Sequence, residues 1–204
     1  ALNDIREYLA VLEQQGLVRR VTEEVDASWE IGCMVKWGFQ AFDEKDRFGF
    51  LFDNVKGTDI PVATGALGAS EAAYAVGLGV EPHEINAKWE EALLNPIAPV
   101  MVDNALCQEV IIDGDDVDLG ALPIPVWTPG KDAAPYITAI VVTRDAVTDV
   151  QNYGIYRTQV LGPNRAVGNM SPGRQGYQCI KSWHDRGEAA PVAGAPAPFW
   201  RMGT

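Results

Sequence analysis

The chain has 204 residues, 16 basic and 28 acidic, and a formal net charge of −12. This acidic balance excludes a broad basic surface for nucleic acid or for anionic membranes. No apolar run approaches the roughly 20 residues that cross a bilayer. Hydrophobic residues make up 47 % of the chain, which is ordinary for a globular protein that buries a sizeable core.

The first half of the chain alternates between helical and strand-like patterns. Asn3 is expected to cap a first helix, in which Tyr8 and Leu12 belong to an apolar stripe at helical spacing. Core contacts are expected from Trp29, Met34, Val35 and Phe39 in a second helix. In chain order the patterns predict strands over 17–21, 48–55 and 60–67, and helices from about 26, over 70–78 and over 82–94.

The second half of the chain is richer in strand signals. Residues 95–99 predict a connector, because Pro96 and Pro99 interrupt any regular element. Strands are predicted over 109–112, 136–143 and 155–161, and a helix over 174–186. The sequence therefore predicts a mixed α/β (α+β) fold in two parts, with the boundary near residue 96.

Several familiar kinds of site are excluded. The three cysteines, Cys33, Cys107 and Cys179, are too far apart for a zinc knuckle or a disulfide framework. We expect them to be reduced core residues of a cytoplasmic protein. Residues 113–118 contain four aspartates without the spacing of a calcium loop, so we interpret them as a solvated turn. The two histidines accompany no nucleophile motif.

The candidate site lies in a positive segment of this acidic chain. Residues 151–204 carry a net charge of +4, whereas residues 1–150 carry −16, which indicates a small anionic ligand. Asn152 offers an oxygen to a hard cation, and Arg157 offers a planar fork to a phosphate or a carboxylate. Because these residues are an odd number of positions apart on a strand, we expect Gly154 to bend the strand and bring them together.

The following turn extends this candidate site. Residues 169–173 are expected to expose backbone N–H groups to an anion, and Arg174 and Gln175 lie at a predicted helix N-terminus. The pattern predicts an anion site with a metal. The alternative is a polar strand edge followed by a capped helix.

Ordered motifs over most of the chain resemble the UbiD family of prenylated-FMN-dependent decarboxylases. The resemblance is strongest at Leu119 to Pro125 (Leu-Gly-Ala-Leu-Pro-Ile-Pro) and at Asn152 to Arg157. Further matching stretches are residues 4–9, 17–21, 50–57, 60–62, 136–138 and 143–145. The family's fold would be an N-terminal α/β subdomain, residues 1–96, followed by part of a flavin-binding split β-barrel, residues 97–204.

The resemblance also implies a set of site residues. Asn152 would bind Mg²⁺ or Mn²⁺ at the cofactor phosphate, with K⁺ as a further ion, and Arg157 would face the substrate carboxylate. Gln175 stands where many members have a histidine that binds the metal. Contacts with prenylated FMN are implied for Asn152, Ile155, Tyr156, Arg157, Asn169, Met170, Ser171, Arg174 and Gln175.

The implied activity is reversible, non-oxidative decarboxylation of an aromatic acid by a carboxy-lyase that forms homo-oligomers. Gly154 to Arg157 favours the branch that acts on hydroxylated benzoic acids. The family's glutamates for metal binding and proton transfer would follow residue 204, so the chain alone is expected to be inactive. The main alternative is a non-catalytic module, either one that binds flavin or metal or one that folds and self-associates without the flavin. A simple FMN-dependent reductase is a further alternative, although no nicotinamide motif supports it.

Overall fold

A computed structural model describes residue 2 and residues 4–98, 100–103, 105 and 108–196. The first half contains α1 (Ile5–Gln14), β1 (Val18–Val21), α2 (Glu30–Ala41), β2 (Gly49–Phe52), β3 (Val62–Thr64), α3 (Glu71–Leu78) and α4 (Ile85–Leu94). The second half contains β4 (Tyr136–Arg144), β5 (Gln151–Gly162), β6 (Arg165–Gly168), α5 (Gln175–His184) and β7 (Val192–Pro196). The mixed α/β fold class is therefore confirmed. None of the helices within the described residues is long and apolar enough to cross a membrane.

The first sheet has helices on both faces. Its order is β1-β2-β3, with β1 parallel and β3 antiparallel to β2. Alternate residues of a strand point to opposite faces, and Phe50 and Phe52 pack with Ile31 of α2 in one buried cluster. Val18 and Leu12 belong to a second cluster, formed with α1 and α3. Burial of both faces fixes the register of this sheet.

Tyr8 ties α1 to α3. Its hydroxyl donates to the carbonyl oxygens of Ala73, at 2.8 Å, and Ala66, at 3.3 Å. Burial raises the pKa of Tyr8 to about 12, because the interior disfavours the phenolate. The helix pair is therefore joined by a polar contact as well as by apolar packing.

The second sheet is antiparallel and has the order β6-β5-β4-β7. The ladder between β4 and β5 runs without interruption from Tyr136↔Gln159 to Arg144↔Gln151. Helix α5 packs against β4 and β5, and Cys179 is its buried cysteine. β6 pairs with β5 only between Thr158 and Gly162, so β6 leaves the neighbouring edge of β5, over residues 151–157, open.

The segment before β4 packs back onto the first half. The N–H group of Val126 donates to the Ala27 carbonyl oxygen at 3.0 Å. A Cβ atom on Gly32 would lie 2.8 Å from the Val126 carbonyl oxygen and 2.9 Å from that of Trp127. Only glycine therefore allows α2 to approach this segment so closely.

Two helix starts differ from expectation. The carboxylate of Asp4 caps α1 by accepting from the N–H groups of Arg6 and Glu7, whereas the predicted cap, Asn3, lies outside the described residues. The prediction that the second helix begins near Asp26 was wrong, because α2 begins at Glu30. The Asp26 carboxylate instead accepts from the Ser28 N–H, which favours a turn before the helix.

Some side chains were assigned wrongly to the core. Trp29 is 53 % exposed, since it precedes α2, whereas Met34 and Val35 pack against the first buried cluster. Cys33 is exposed, which corrects its prediction as a core residue. Cys107 lies outside the described residues.

The strand predictions of the second half were right for the long strands and wrong for the short ones. The strand predicted over 109–112 is absent, and its apolar side chains, such as Ile111, are exposed. β6 was missed because every residue in it is exposed. β7 was also missed, because an alanine-rich stretch gives no apolar alternation, yet Val192–Pro196 pairs with β4.

The close approach at Gly32 gives a stability prediction. We expect Gly32→Ala to lower the free energy of unfolding by about 1–3 kcal/mol, because backbone oxygens would have to move. Gly77→Ala in α3 is the matched control, since the nearest atom to its Cβ would be a Leu67 side-chain carbon at 3.5 Å and alanine favours a helix by about 1 kcal/mol. Urea unfolding measures both variants. Equal stability losses would contradict the tight contact at Gly32.

Candidate functional site

The candidate residues of β5 lie on two opposite faces of the strand. Asn152, Gly154 and Tyr156 share one face, on which the Tyr156 side chain meets α5. Ile155 and Arg157 lie on the opposite face. Ile155 is 70 % exposed, so this second face presents an uncovered apolar side chain beside a guanidinium.

The expected bend at Gly154 was wrong. Gly154 pairs with Val141 within the continuous ladder, so the strand keeps its two-residue period. Five residues of strand span roughly 16 Å, and the side chains of Asn152 and Arg157 point to opposite faces. A single cation therefore cannot contact both. Since the edge of β5 at 151–157 is left open by β6, only an extended ligand at that edge could reach both residues.

Arg157 is held in a fixed position. One of its terminal nitrogens, Nη2, donates to both carboxylate oxygens of Asp132 at 3.0 Å. Its guanidinium carbon lies 4.2 Å from the centre of the Tyr136 ring, which is a cation–π distance. The Asp132 side chain is only 11 % exposed, whereas that of Arg157 is 49 % exposed. The arginine therefore reaches the surface from a nearly buried anchor.

Tyr156 fills a slot between β5 and α5. Its hydroxyl oxygen accepts a hydrogen bond from the Gly176 N–H at 3.2 Å. A Cβ atom on Gly176 would lie 2.6 Å from that oxygen, and one on Gly154 would lie 2.5 Å from the ring. Because the Tyr156 side chain is committed to this contact, only its backbone remains for a ligand on the other face.

The turn after β6 lies beside Arg157. Gly168 pairs with Thr158, so residues 169–171 leave the sheet next to Arg157. The N–H group of Arg174 donates to the Ser171 carbonyl oxygen at 2.9 Å, which confirms the predicted turn. The side chains of Asn169, Ser171, Arg174 and Gln175 are exposed, and that of Met170 is half-buried. One N–H group of the α5 N-terminus, that of Gly176, is already bonded to Tyr156.

Asn152 contacts the neighbouring strand β4. Its side-chain nitrogen donates to the Thr143 hydroxyl oxygen at 3.2 Å. The last turn of α5 reaches this end of the sheet, where the Trp183 indole N–H donates to the Arg144 carbonyl oxygen. Gln175 begins the same helix at the other end, beside Tyr156. That Asn152 and Gln175 share a metal stays a prediction: Gln175 precedes Gly176, and Cβ atoms on Gly176 and Gly154 would lie 2.6 and 2.9 Å from the same Tyr156 hydroxyl oxygen.

The donor chemistry of the described residues does not fit a divalent metal site. Asn152 and Gln175 offer two neutral amides, whereas Mg²⁺ and Mn²⁺ require carboxylates and further oxygen ligands. The described part of the chain contains no group of three or more histidine, cysteine, aspartate or glutamate residues able to hold a metal ion. We therefore assign no step to a metal.

Two cavities lie away from this site. One, of about 360 Å³, is near the start of α3 and includes Ser70 and Tyr74. The other, of about 260 Å³, lies between the 55–58 turn and residues 119–126. Neither is lined by a candidate residue. The candidate residues on the face and edge of β5 thus lie outside both cavities.

Sequence reasoning missed Asp132. No local pattern connects Asp132 to a residue 25 positions later in the chain. A signal was available on the neighbouring strand, because Thr138 pairs with Arg157 and Tyr136 lies two residues before it on the same face. That placement predicts the contact of Arg157 with the Tyr136 ring, but it does not predict the ion pair with Asp132.

Family comparisons cover both halves of the chain. The 3-octaprenyl-4-hydroxybenzoate carboxy-lyase N-terminal domain matches residues 9–93. The Rift-related domain of the same carboxy-lyase matches residues 99–196. The chain therefore belongs to the UbiD family.

Solved structures of this family resemble the chain closely. The UbiD-class enzyme HmfF from Pelotomaculum thermopropionicum, in complex with FMN, is 36 % identical, with a TM-score of 0.82 over 95 % of this chain and 42 % of that one. An evolved dimeric form of HmfF in complex with prFMN is 34 % identical, with a TM-score of 0.85 over 95 % of this chain and 44 % of that one.

Two decarboxylases are also similar. The apo 3,4-dihydroxybenzoic acid decarboxylase from Enterobacter cloacae is 26 % identical, with a TM-score of 0.81 over 94 % of this chain and 41 % of that one. The closed vanillic acid decarboxylase from Sedimentibacter hydroxybenzoicus is 27 % identical, with a TM-score of 0.82 over 94 % and 42 %. This chain spans about two-fifths of the length of these structures.

The tyrosine slot gives a second stability prediction. We expect Tyr156→Phe to lower the free energy of unfolding by about 1 kcal/mol, because the Gly176 N–H loses its acceptor. Tyr153→Phe is the control on the opposite face of β5, where the tyrosine is 48 % exposed, and we expect it to change stability by less than about 0.5 kcal/mol. Thermal unfolding measures both. A larger loss for Tyr153→Phe would show that the slot does not stabilise the fold.

Proposed function

We propose that this chain supplies the flavin-contacting part of a prenylated-FMN-dependent decarboxylase that acts on an aromatic carboxylic acid. The observation that carries the proposal is the immobilised Arg157 beside the exposed Ile155 on one face of β5. Family membership supports it, as do the FMN and prFMN complexes of HmfF.

The exposed face of β5 has the chemistry that a flavin and a carboxylate require. Ile155 offers an apolar surface to a planar ring and excludes water from it. Arg157 binds and orients a carboxylate through its guanidinium. Tyr156 contributes its backbone, and residues 169–171 with Arg174 border the same end of the sheet. When bound, prenylated FMN supplies an electron sink that allows CO₂ to leave an aromatic carbon.

A hydroxylated benzoic acid is the substrate we propose. Two similar structures are decarboxylases of 3,4-dihydroxybenzoic acid and vanillic acid, which are both hydroxylated benzoic acids or their ethers. One exposed guanidinium beside an apolar side chain matches an acid with a single carboxylate on an aromatic ring.

We further propose that residues outside this chain complete the site. Within the described residues, the carboxylate next to Arg157 is that of Asp132, which is bonded to Arg157 and to the Thr128 N–H, so it is not placed to return a proton to the substrate. The proton donor and the carboxylate ligands of a metal would then come from elsewhere. In this arrangement Asn152 and Gln175 contribute at most one amide oxygen each to Mn²⁺, Mg²⁺ or K⁺.

The organisation of the protein is also a proposal. We propose that residues 1–96 and 97–204 are separate domains and that the second is part of a split β-barrel. The separate sheets in the two halves support this division. We propose assembly into a homo-oligomer in the cytoplasm, and the dimeric form of HmfF supports the oligomer.

Reconstitution with prenylated FMN tests the proposed function. We expect the chain to retain the flavin, measured by visible absorbance after gel filtration. We expect Arg157→Ala to lower retention at least about tenfold, because it removes the proposed guanidinium contact with the flavin. Arg144→Ala is the matched control, because Arg144 also forms an exposed ion pair with an aspartate, Asp149, on the same sheet.

Two results would contradict the proposal. Equal flavin retention by the Arg157 and Arg144 variants would remove Arg157 from the site, and a colourless wild-type protein would favour the non-catalytic module. Release of CO₂ from 3,4-dihydroxybenzoate by the loaded chain alone would show that the proton donor lies within these 204 residues.

A further inference from the structure

Arg157 has one occupied side and one open side. Nη2 is the nitrogen that bonds to Asp132, and one face of the guanidinium covers Tyr136. Within the described residues, Nη1 and Nε of Arg157 donate no hydrogen bond. Because the guanidinium is planar and rigid, fixing one nitrogen and one face also fixes the direction of the remaining N–H groups.

The anchor of this arrangement is held from several directions. The Thr128 N–H donates to the Asp132 carboxylate at 2.9 Å, and the Asp132 N–H donates back to the Thr128 carbonyl oxygen at 2.9 Å. The Trp127 indole N–H donates to the Tyr136 carbonyl oxygen at 2.9 Å. Hydrogen bonds thus join the loop that carries Asp132 to the strand that carries Tyr136 before any ligand binds.

We propose that Asp132 is a positioning residue that holds Arg157 in the orientation that accepts a substrate carboxylate. This inference rests on the proposed function. A free arginine side chain would lose rotamer entropy on binding, whereas the anchored Arg157 has lost most of it already. Pre-organisation of this kind strengthens binding by lowering its entropic cost.

The anchor also sets which anion the site prefers. Asp132 and Arg157 together are neutral, so the pair attracts an anion through oriented N–H groups more than through net charge. A lone arginine would attract a dianionic phosphate about twice as strongly as a monoanionic carboxylate, and repulsion from the nearby Asp132 carboxylate doubles as well, so it offsets much of that advantage. Asp132 therefore lowers the advantage that a phosphate would have over a carboxylate at Arg157.

Arginine side-chain NMR tests the positioning directly and needs no ligand. In the wild-type chain we expect the guanidinium of Arg157 to rotate slowly about its Nε–Cζ bond, with separate signals for its terminal N–H groups. In Asp132→Asn we expect this rotation to become fast, so that the separate N–H signals merge. Asp149→Asn is the control, because it removes the aspartate from the exposed Arg144 pair and should leave the Arg157 signals unchanged. Fast rotation of Arg157 in the wild-type chain would overturn the proposal.

Binding of two probes, 3,4-dihydroxybenzoate and inorganic phosphate, tests the consequence. We expect Asp132→Asn to raise the dissociation constant of 3,4-dihydroxybenzoate about fivefold, the size of losing one oriented contact, and to reduce the preference for it over phosphate. Tighter or unchanged 3,4-dihydroxybenzoate binding would overturn the proposal, because an aspartate that only repels anions gives that result when it is neutralised.

A double variant separates this inference from the proposed function. In an Arg157→Gln background, Asp132→Asn should have no further effect on 3,4-dihydroxybenzoate binding, since Asp132 acts through Arg157. A full additional loss would overturn the positioning role. If Arg157→Gln alone leaves binding unchanged, the proposed function fails, while the rotation measurement still decides whether Asp132 immobilises Arg157.

Discussion

The uninterrupted pairing of β4 with β5 is the constraint on which the site depends. Nine residues of each strand pair in one register, so every side chain of β5 between Gln151 and Gln159 is assigned to a face by a period of two. Gly154 does not relax this rule. The pairing therefore directs the Tyr156 side chain toward α5, and the side chains of Ile155 and Arg157 lie on the open face.

The two faces of β5 therefore have different roles, one in ligand binding and one in stabilising the fold. The face toward α5 holds the sheet and helix together through Tyr156 and two glycines that leave room for its ring. The open face combines an apolar side chain with an arginine whose position is set by Asp132 and Tyr136. A site of this kind is rigid because its supporting contacts lie on other elements, which is what precise orientation of a substrate requires.

The sequence predicted the long, strongly patterned elements and the family motifs, whereas it could not predict contacts between distant segments. Ser70, the first residue of the helix predicted over 70–78, caps α3, because capping depends on residues within one turn. The exposed β6 and the alanine-rich β7 lack the alternation that marks a strand. They form strands because they pair with β5 and β4, respectively. The Arg157–Asp132 pair depends on how the loop before β4 folds back, which no local spacing encodes.

The most direct test is a titration of the chain with FMN, followed by NMR of isoleucine methyl groups. Ile155 lies on the open face of β5. Ile180 lies on α5, the helix that packs against the other face of the sheet. We expect the Ile155 methyl signals to shift as FMN binds and those of Ile180 to stay in place. A shift of Ile180 with no change at Ile155 would place the flavin on the α5 side and contradict this account.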